Sequence, residues 1–235
     1  MRLGLLLPRS RFARDPVAAA YAGARLPRGR TPWREARWCA VDLELTGLDP
    51  REHEIISFGA IPIDDGRVKL DGAVEGLARP GGAISEASIR VHGIRAADLA
   101  RAPRLVDAIG PLLQAISGRI LVVHSAAVER AFLGSALREQ GVRLRGPLID
   151  TEVLGRVWLA ERDGRALRGS LSLGDLAAAL GLPAERPHHA LGDTLTTAQV
   201  FIALAAHLDA LGAETVASLA GAGQRLGALR AFGGR

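Results

Sequence analysis

The chain has 235 residues, 48% apolar and 23% charged, which is enough for one full α/β domain and too short for two large ones. No apolar run approaches the ~20 residues of a membrane-spanning helix. Leu5-Leu6-Leu7 is too short for a signal-peptide core. The single cysteine, Cys39, excludes an internal disulfide or a multi-cysteine zinc site, so the cytoplasm is the expected compartment.

The net charge of +5 is unevenly spread, because residues 1–37 carry nine Arg and two acids and leave the rest slightly acidic. That Arg-rich leader has no clear period and contains Pro8, Pro16, Pro27 and Pro32. It reads as a flexible, solvated arm, with contact to nucleic-acid phosphates as the alternative. Order is expected from Trp38. Residues 38–44 form an apolar run ending in acids, a buried strand in character. Thr46–Pro50 is a turn and residues 55–63 a second strand. Asp65-Gly66 is a hairpin signal, so a third, antiparallel strand is expected over 67–78, stopped by Pro80-Gly81-Gly82.

The spacing then predicts a helix over 103–117, a short buried strand over 119–123 and a helix over 126–140 closed by Gly141. A last strand is expected over 147–149, followed by helices near 151–161, 172–180, 190–209 and 213–220, then a tail containing Gly and Arg. Strands that meander and then alternate with helices imply a mixed sheet covered by helices.

Three segments carry chemistry. Side chains alternate along a strand, so Asp42 and Glu44 share a face at the carboxyl end of the first strand. Two carboxylates there repel unless they share protons or a cation; taken alone, a strand running out into solvent explains them equally well. Asp193 falls in the first turn of a helix, where the dipole favours an acid in any case. His188, after Pro187, sits on a loop free to reach a neighbouring site. Glu129 enters a helix with no basic partner one turn away, which argues against a surface ion pair.

Together these segments resemble the DnaQ-like exonucleases, the histidine branch (DEDDh) of the DEDD group, which includes the proofreading epsilon subunit of bacterial DNA polymerase III. Asp42-Leu43-Glu44-Leu45-Thr46-Gly47-Leu48 is similar to the first motif, His124–Leu133 to the second and His188–Asp193 to the third. Val91-His92-Gly93-Ile94 and Asp150-Thr151 also resemble recurring segments, and the likeness spans about residues 38–207. It implies an RNase H-like α/β fold with a mixed five-stranded sheet, order 3-2-1-4-5, strand 2 antiparallel. It implies 3′–5′ hydrolysis of single-stranded nucleic acid by two divalent cations, Mg²⁺ or Mn²⁺. In that scheme Asp42, Glu44, Glu129 and Asp193 hold the metals, and His188 is the general base with His189 as the competing candidate. Thr46, Gly47, Leu48, His124 and Ser125 contact the substrate. The exonuclease domain would occupy 38–210, with a C-terminal helix and tail over 211–235.

The chain departs from the pattern in three places. Glu129 stands where Asp is usual, Leu45 where Thr is usual and Ser125 where Asn is usual. The longer Glu129 implies retained activity with Mn²⁺ favoured. It is also the one support for the alternative, a non-catalytic nucleic-acid-binding module with a degenerate metal site. A polymerase partner has no visible binding segment. The resemblance leaves open DNA against RNA, and proofreading against repair or RNA trimming.

Overall fold

Residues 15–164, 169–183 and 188–232 are described by the structure, a computed structural model. A six-stranded sheet forms its centre: β1 (Trp38–Leu45), β2 (Ile55–Asp64), β3 (Arg67–Val68), β4 (Val74–Leu77), β5 (Ile120–Val123) and β6 (Leu148–Asp150). The order is β3-β2-β1-β5-β6, with β4 also on β2; β2 runs antiparallel to β1, and β5 and β6 run parallel to it. This is the expected RNase H-like arrangement, with the third strand in two pieces. Pro62 explains the split: it has no N–H for the third strand, its carbonyl accepts from Lys69 N at 2.9 Å, and a 3₁₀ turn at Leu70–Gly72 follows. The hairpin before it turns at Asp65 (φ 56°) and Gly66 (φ 65°).

The helices are α1 (Pro16–Gly23), α2 (Glu86–His92), α3 (Leu105–Ala108), α4 (Gly110–Ile116), α5 (Ala126–Glu139), α6 (Thr151–Asp163), α7 (Leu173–Ala179), α8 (Ala190–Asp209), α9 (Val216–Ala220) and α10 (Ala222–Phe232). Alternation along β1 divides the core. Trp38 and Ala40 pack with α6, α8 and Phe201 on one face, whereas Cys39, Val41 and Leu43 pack with α4 and α5 on the other. None of the helices among the described residues is long and apolar enough to cross a membrane.

Several expectations need correction. The single helix over 103–117 breaks into α3 and α4, because Pro111 cannot donate in a helix interior. The α2 helix was not anticipated, although Ser85 caps its start and Gly93, at φ 74°, closes it. The tail contains α10, which packs along α6 and ties Arg225 to Glu161 and Glu214 at 2.6 and 2.7 Å.

The flexible leader is the largest correction. Residues 1–14 lie outside the described residues, but residues 15–37 are built into the domain. Asp15 caps α1, Ala18 and Tyr21 are buried, and Trp33 is 1% exposed against the edge of Phe201. Trp38 Nε1 donates to the Trp33 carbonyl at 2.8 Å. Proline and arginine hid apolar anchors whose partners lie far along the chain, α4 for α1 and Phe201 for Trp33.

Candidate active site

Asp42 and Glu44 lie on the same face of β1, as alternation requires. Gly59 on β2 pairs in register with Asp42. A Cβ at Gly59 would lie 2.5 Å from Thr194 Oγ1 and 2.6 Å from the Ala190 carbonyl. The missing side chain therefore lets the first turn of α8 settle on the sheet. That contact delivers Asp193, and one carboxylate oxygen each from Asp42, Glu44 and Asp193 lie within 4.8 Å of one another.

Glu129 arrives from the opposite layer, in the first turn of α5. Asp150 fixes that turn: its carboxylate accepts from the amides of Ser125, Ala126 and Glu152 at 3.2, 2.9 and 2.9 Å, capping α5 and α6 together. Ser125 makes the bend with φ 64°. Glu129 is 5% exposed, and its buried Oε2 has no hydrogen-bond partner among the described residues.

Burial disfavours charge on all of these groups, and repulsion between acids adds to it on Asp42, Glu44 and Glu129. The Asp42 carboxyl is pushed well up by burial, then by Glu129, Glu44 and Asp193. Glu44 is pushed up to about 7 by burial and by Asp193. Burial, then Glu44, raises Glu129, against a bond from the Leu43 backbone. Asp193 is raised by burial, while the His188 amide, donating to its Oδ2 at 2.8 Å, opposes the rise. Such a cluster needs protons or cations, and its all-oxygen donor set suits hard divalent ions.

The histidines divide by role. His188 is exposed at φ 64°, and its ring makes no hydrogen bond among the described residues; Pro187 lies outside them. His189 turns instead to β4, with Nε2 3.4 Å from Glu75 Oε1. His92 accepts from Ile94 N at Nδ1 and therefore donates from Nε2 to the Leu45 carbonyl, bracing the end of β1. Burial lowers its pKa and keeps the ring neutral.

Two of the five expected substrate contacts are occupied internally. The Thr46 side chain accepts from Glu54 N at 3.0 Å and meets His53 Nδ1 at 3.3 Å. His124 donates from Nε2 to the Leu171 carbonyl at 3.0 Å, and its Nδ1 lies 2.9 Å from the Thr151 hydroxyl, so no ring nitrogen is left for a substrate. Gly47 is required by His53, whose ring would lie 2.3 Å from an added Cβ. Leu48, 76% exposed, and Ser125 do line the cleft beside the acids, a space of about 510 Å³ that Glu44, Val91, Val128 and Glu129 also border. Gly59 and Asp150 were not singled out for roles by sequence reasoning. A glycine inside a strand was the available signal for the first.

A family model described as Exonuclease (RNase T) matches residues 39–201. The chain belongs to this family. A DNA polymerase III subunit epsilon-like protein of Rhodobacter capsulatus is 34% identical over 188 residues, covering 79% of this chain and 26% of that protein. A PolC-type DNA polymerase III of Thermotoga petrophila is 32% identical over 171 residues, covering 72% of this chain and 12% of that one. The chain thus spans about a quarter or less of these curated relatives. Among solved structures, Exonuclease X in complex with 5′ overhanging duplex DNA shares the fold with a TM-score of 0.59 at 24% identity, over 78% of this chain and 99% of that one. The nuclease domain of 3′hExo, a DEDDh family member bound to rAMP, gives 0.59 at 18% identity, over 76% and 94%.

Proposed function

We propose that this nuclease-family domain hydrolyses phosphodiester bonds from the 3′ end of single-stranded DNA or RNA with divalent-cation help. One observation carries the reading: the carboxylates of Asp42, Glu44 and Asp193 converge within 4.8 Å of one another at the end of β1 in an exonuclease-family domain, with the buried Glu129 adding to the repulsion on Asp42. Asp42, Glu44 and Asp193 would hold Mg²⁺ or Mn²⁺, with Glu129 completing the set. Bound cations, two of them by family resemblance, would supply Lewis-acid activation of water and charge to balance the leaving oxygen.

His188 would accept the proton of the attacking water. The absence of a ring hydrogen bond among the described residues supports this role, as does the turn of His189 toward Glu75. Leu48, exposed at the cleft beside the acids, would pack on the terminal base of an unpaired end. The relatives' names support a setting beside a DNA polymerase, in proofreading or repair.

The test is digestion of 3′- and 5′-labelled single-stranded DNA and RNA with Mg²⁺, Mn²⁺ or EDTA. Stepwise, metal-dependent loss from the 3′ end is expected, with His188→Ala slower by roughly 10²–10⁴-fold, His189→Ala far less affected and Asp42→Ala inactive. Intact strand binding with no cleavage under any condition would favour the non-catalytic binding module instead.

A further inference from the structure

We infer that Glu75 on β4 is a positioning residue: by holding His189 at the start of α8, it sets the backbone turn that presents the His188 ring to the acids. The inference rests on the proposed role of His188 and deepens it. Asp42 on β1 pairs in register with Gly59 on β2, and Gly59 pairs in register with Glu75 on β4. Partners in register share a face of the sheet, so Asp42 and Glu75 flank the bare backbone of Gly59 on the face that α8 covers. The first turn of α8 settles into that gap with an acid on either side. Toward β1 it offers Asp193, which lies with Asp42. Toward β4 it turns His189, whose Nε2 is 3.4 Å from Glu75 Oε1.

His189 stands just before α8, where a polar side chain ordinarily caps the helix, yet its ring makes no capping bond and reaches across to β4. His188, one residue earlier, has a left-handed backbone at φ 64°, which a residue other than glycine keeps only where its surroundings fix it. Contacts on both sides do so among the described residues. The His188 amide donates to Asp193 Oδ2 at 2.8 Å, and the ring of His189 ties the next residue to β4. Glu75, His188 and His189 border one cleft of about 540 Å³ with Ser57 and His92, so the link lies beside the proposed base. Both partners are partly exposed, and their contact contributes little to stability. Its consequence is geometric, because a general base acts only within hydrogen-bonding reach of the proton it takes.

The experiment measures kcat and KM of the full chain for removal of 3′ nucleotides from labelled single-stranded DNA and RNA with Mn²⁺, after melting curves confirm that each variant is folded. Glu75→Ala should lower kcat roughly three- to fivefold, the scale of an exposed ion pair. KM, and Mn²⁺ affinity followed by electron paramagnetic resonance, should stay unchanged. Glu75→Gln, which keeps an acceptor for His189 Nε2, should restore most of the rate. His189→Ala should match Glu75→Ala, and the double variant should be no slower than either, since both act through one contact. If Glu75→Ala turns over like the wild type, or if the two losses multiply, this inference falls and the His188 reading stands. If the folded wild-type chain removes no 3′ nucleotides, or His188→Ala is as fast as the wild type, both fall.

Discussion

The two ends of β1 treat charge in opposite ways. At the Trp38 end, Asp64 is met by Arg119 at 2.6 and 3.0 Å, and the same guanidinium donates to the Trp38 carbonyl at 3.2 Å. Arg37 adds a longer contact at 3.8 Å. The Arg119 hydrogen bond holds the Asp64 carboxyl below its usual range. At the Leu45 end, Asp42 and Glu44 meet Glu129 and Asp193, and all four are pushed up. One strand thus begins beside a matched pair that holds the sheet together and ends in a crowd of acids that needs protons or cations. Stability and function are separated along seven residues of one strand, Trp38 to Glu44.

The pH signatures should also be opposite. Because the folded pKa of Asp64 lies below its unfolded value, its stabilisation is present above that unfolded value and is lost as pH falls through the folded one. Glu44 rises from 4.5 to about 7, so without metal the folded state is penalised progressively as pH climbs through that window and fully above it.

The largest effect expected is at the matched end. Arg119→Ala should cost about 2–3 kcal/mol in urea unfolding at neutral pH, since it removes two charge-assisted hydrogen bonds from the half-buried Asp64 and one from the Trp38 carbonyl. Adding Asp64→Ala should recover much of that loss, and a double variant as unstable as the single one would break the contrast. Next comes the crowded end. In EDTA at pH 8, Glu44→Gln should stabilise the protein on the order of 2 kcal/mol, with the gain fading by pH 5. Destabilisation at pH 8 would mean that the acids do not repel as described. The smallest change expected is at the bend. Ser125→Gly should add up to about 1 kcal/mol by relieving its left-handed backbone, and calorimetry showing a loss would place no strain there.

Much of this contrast was legible in advance, for reasons that vary by residue. Asp42 and Glu44 could be placed on one face because strand alternation is local. His188 could be preferred to His189 from motif spacing, and the ring contact of His189 with Glu75 supports that choice. The internal partners of Thr46 and His124, Glu54 and His53 for one and Thr151 and Leu171 for the other, were not legible because they are set by how loops fold back. The role of Gly59 depends on α8, more than a hundred residues away in sequence, lying directly over it.

By itself the sequence determined the strands of the sheet and the larger helices, the sheet order through its family likeness, and the identity of the acids, because periodicity, turn residues and motif spacing are properties of neighbouring positions. Only the tertiary structure decided that residues 15–37 belong to the core, that the third strand breaks opposite Pro62, and that the four acids lack compensating charge. Burial and charge pairing depend on what the rest of the chain brings alongside, and desolvation, which shifts every carboxyl in this site, exists only once that packing has formed.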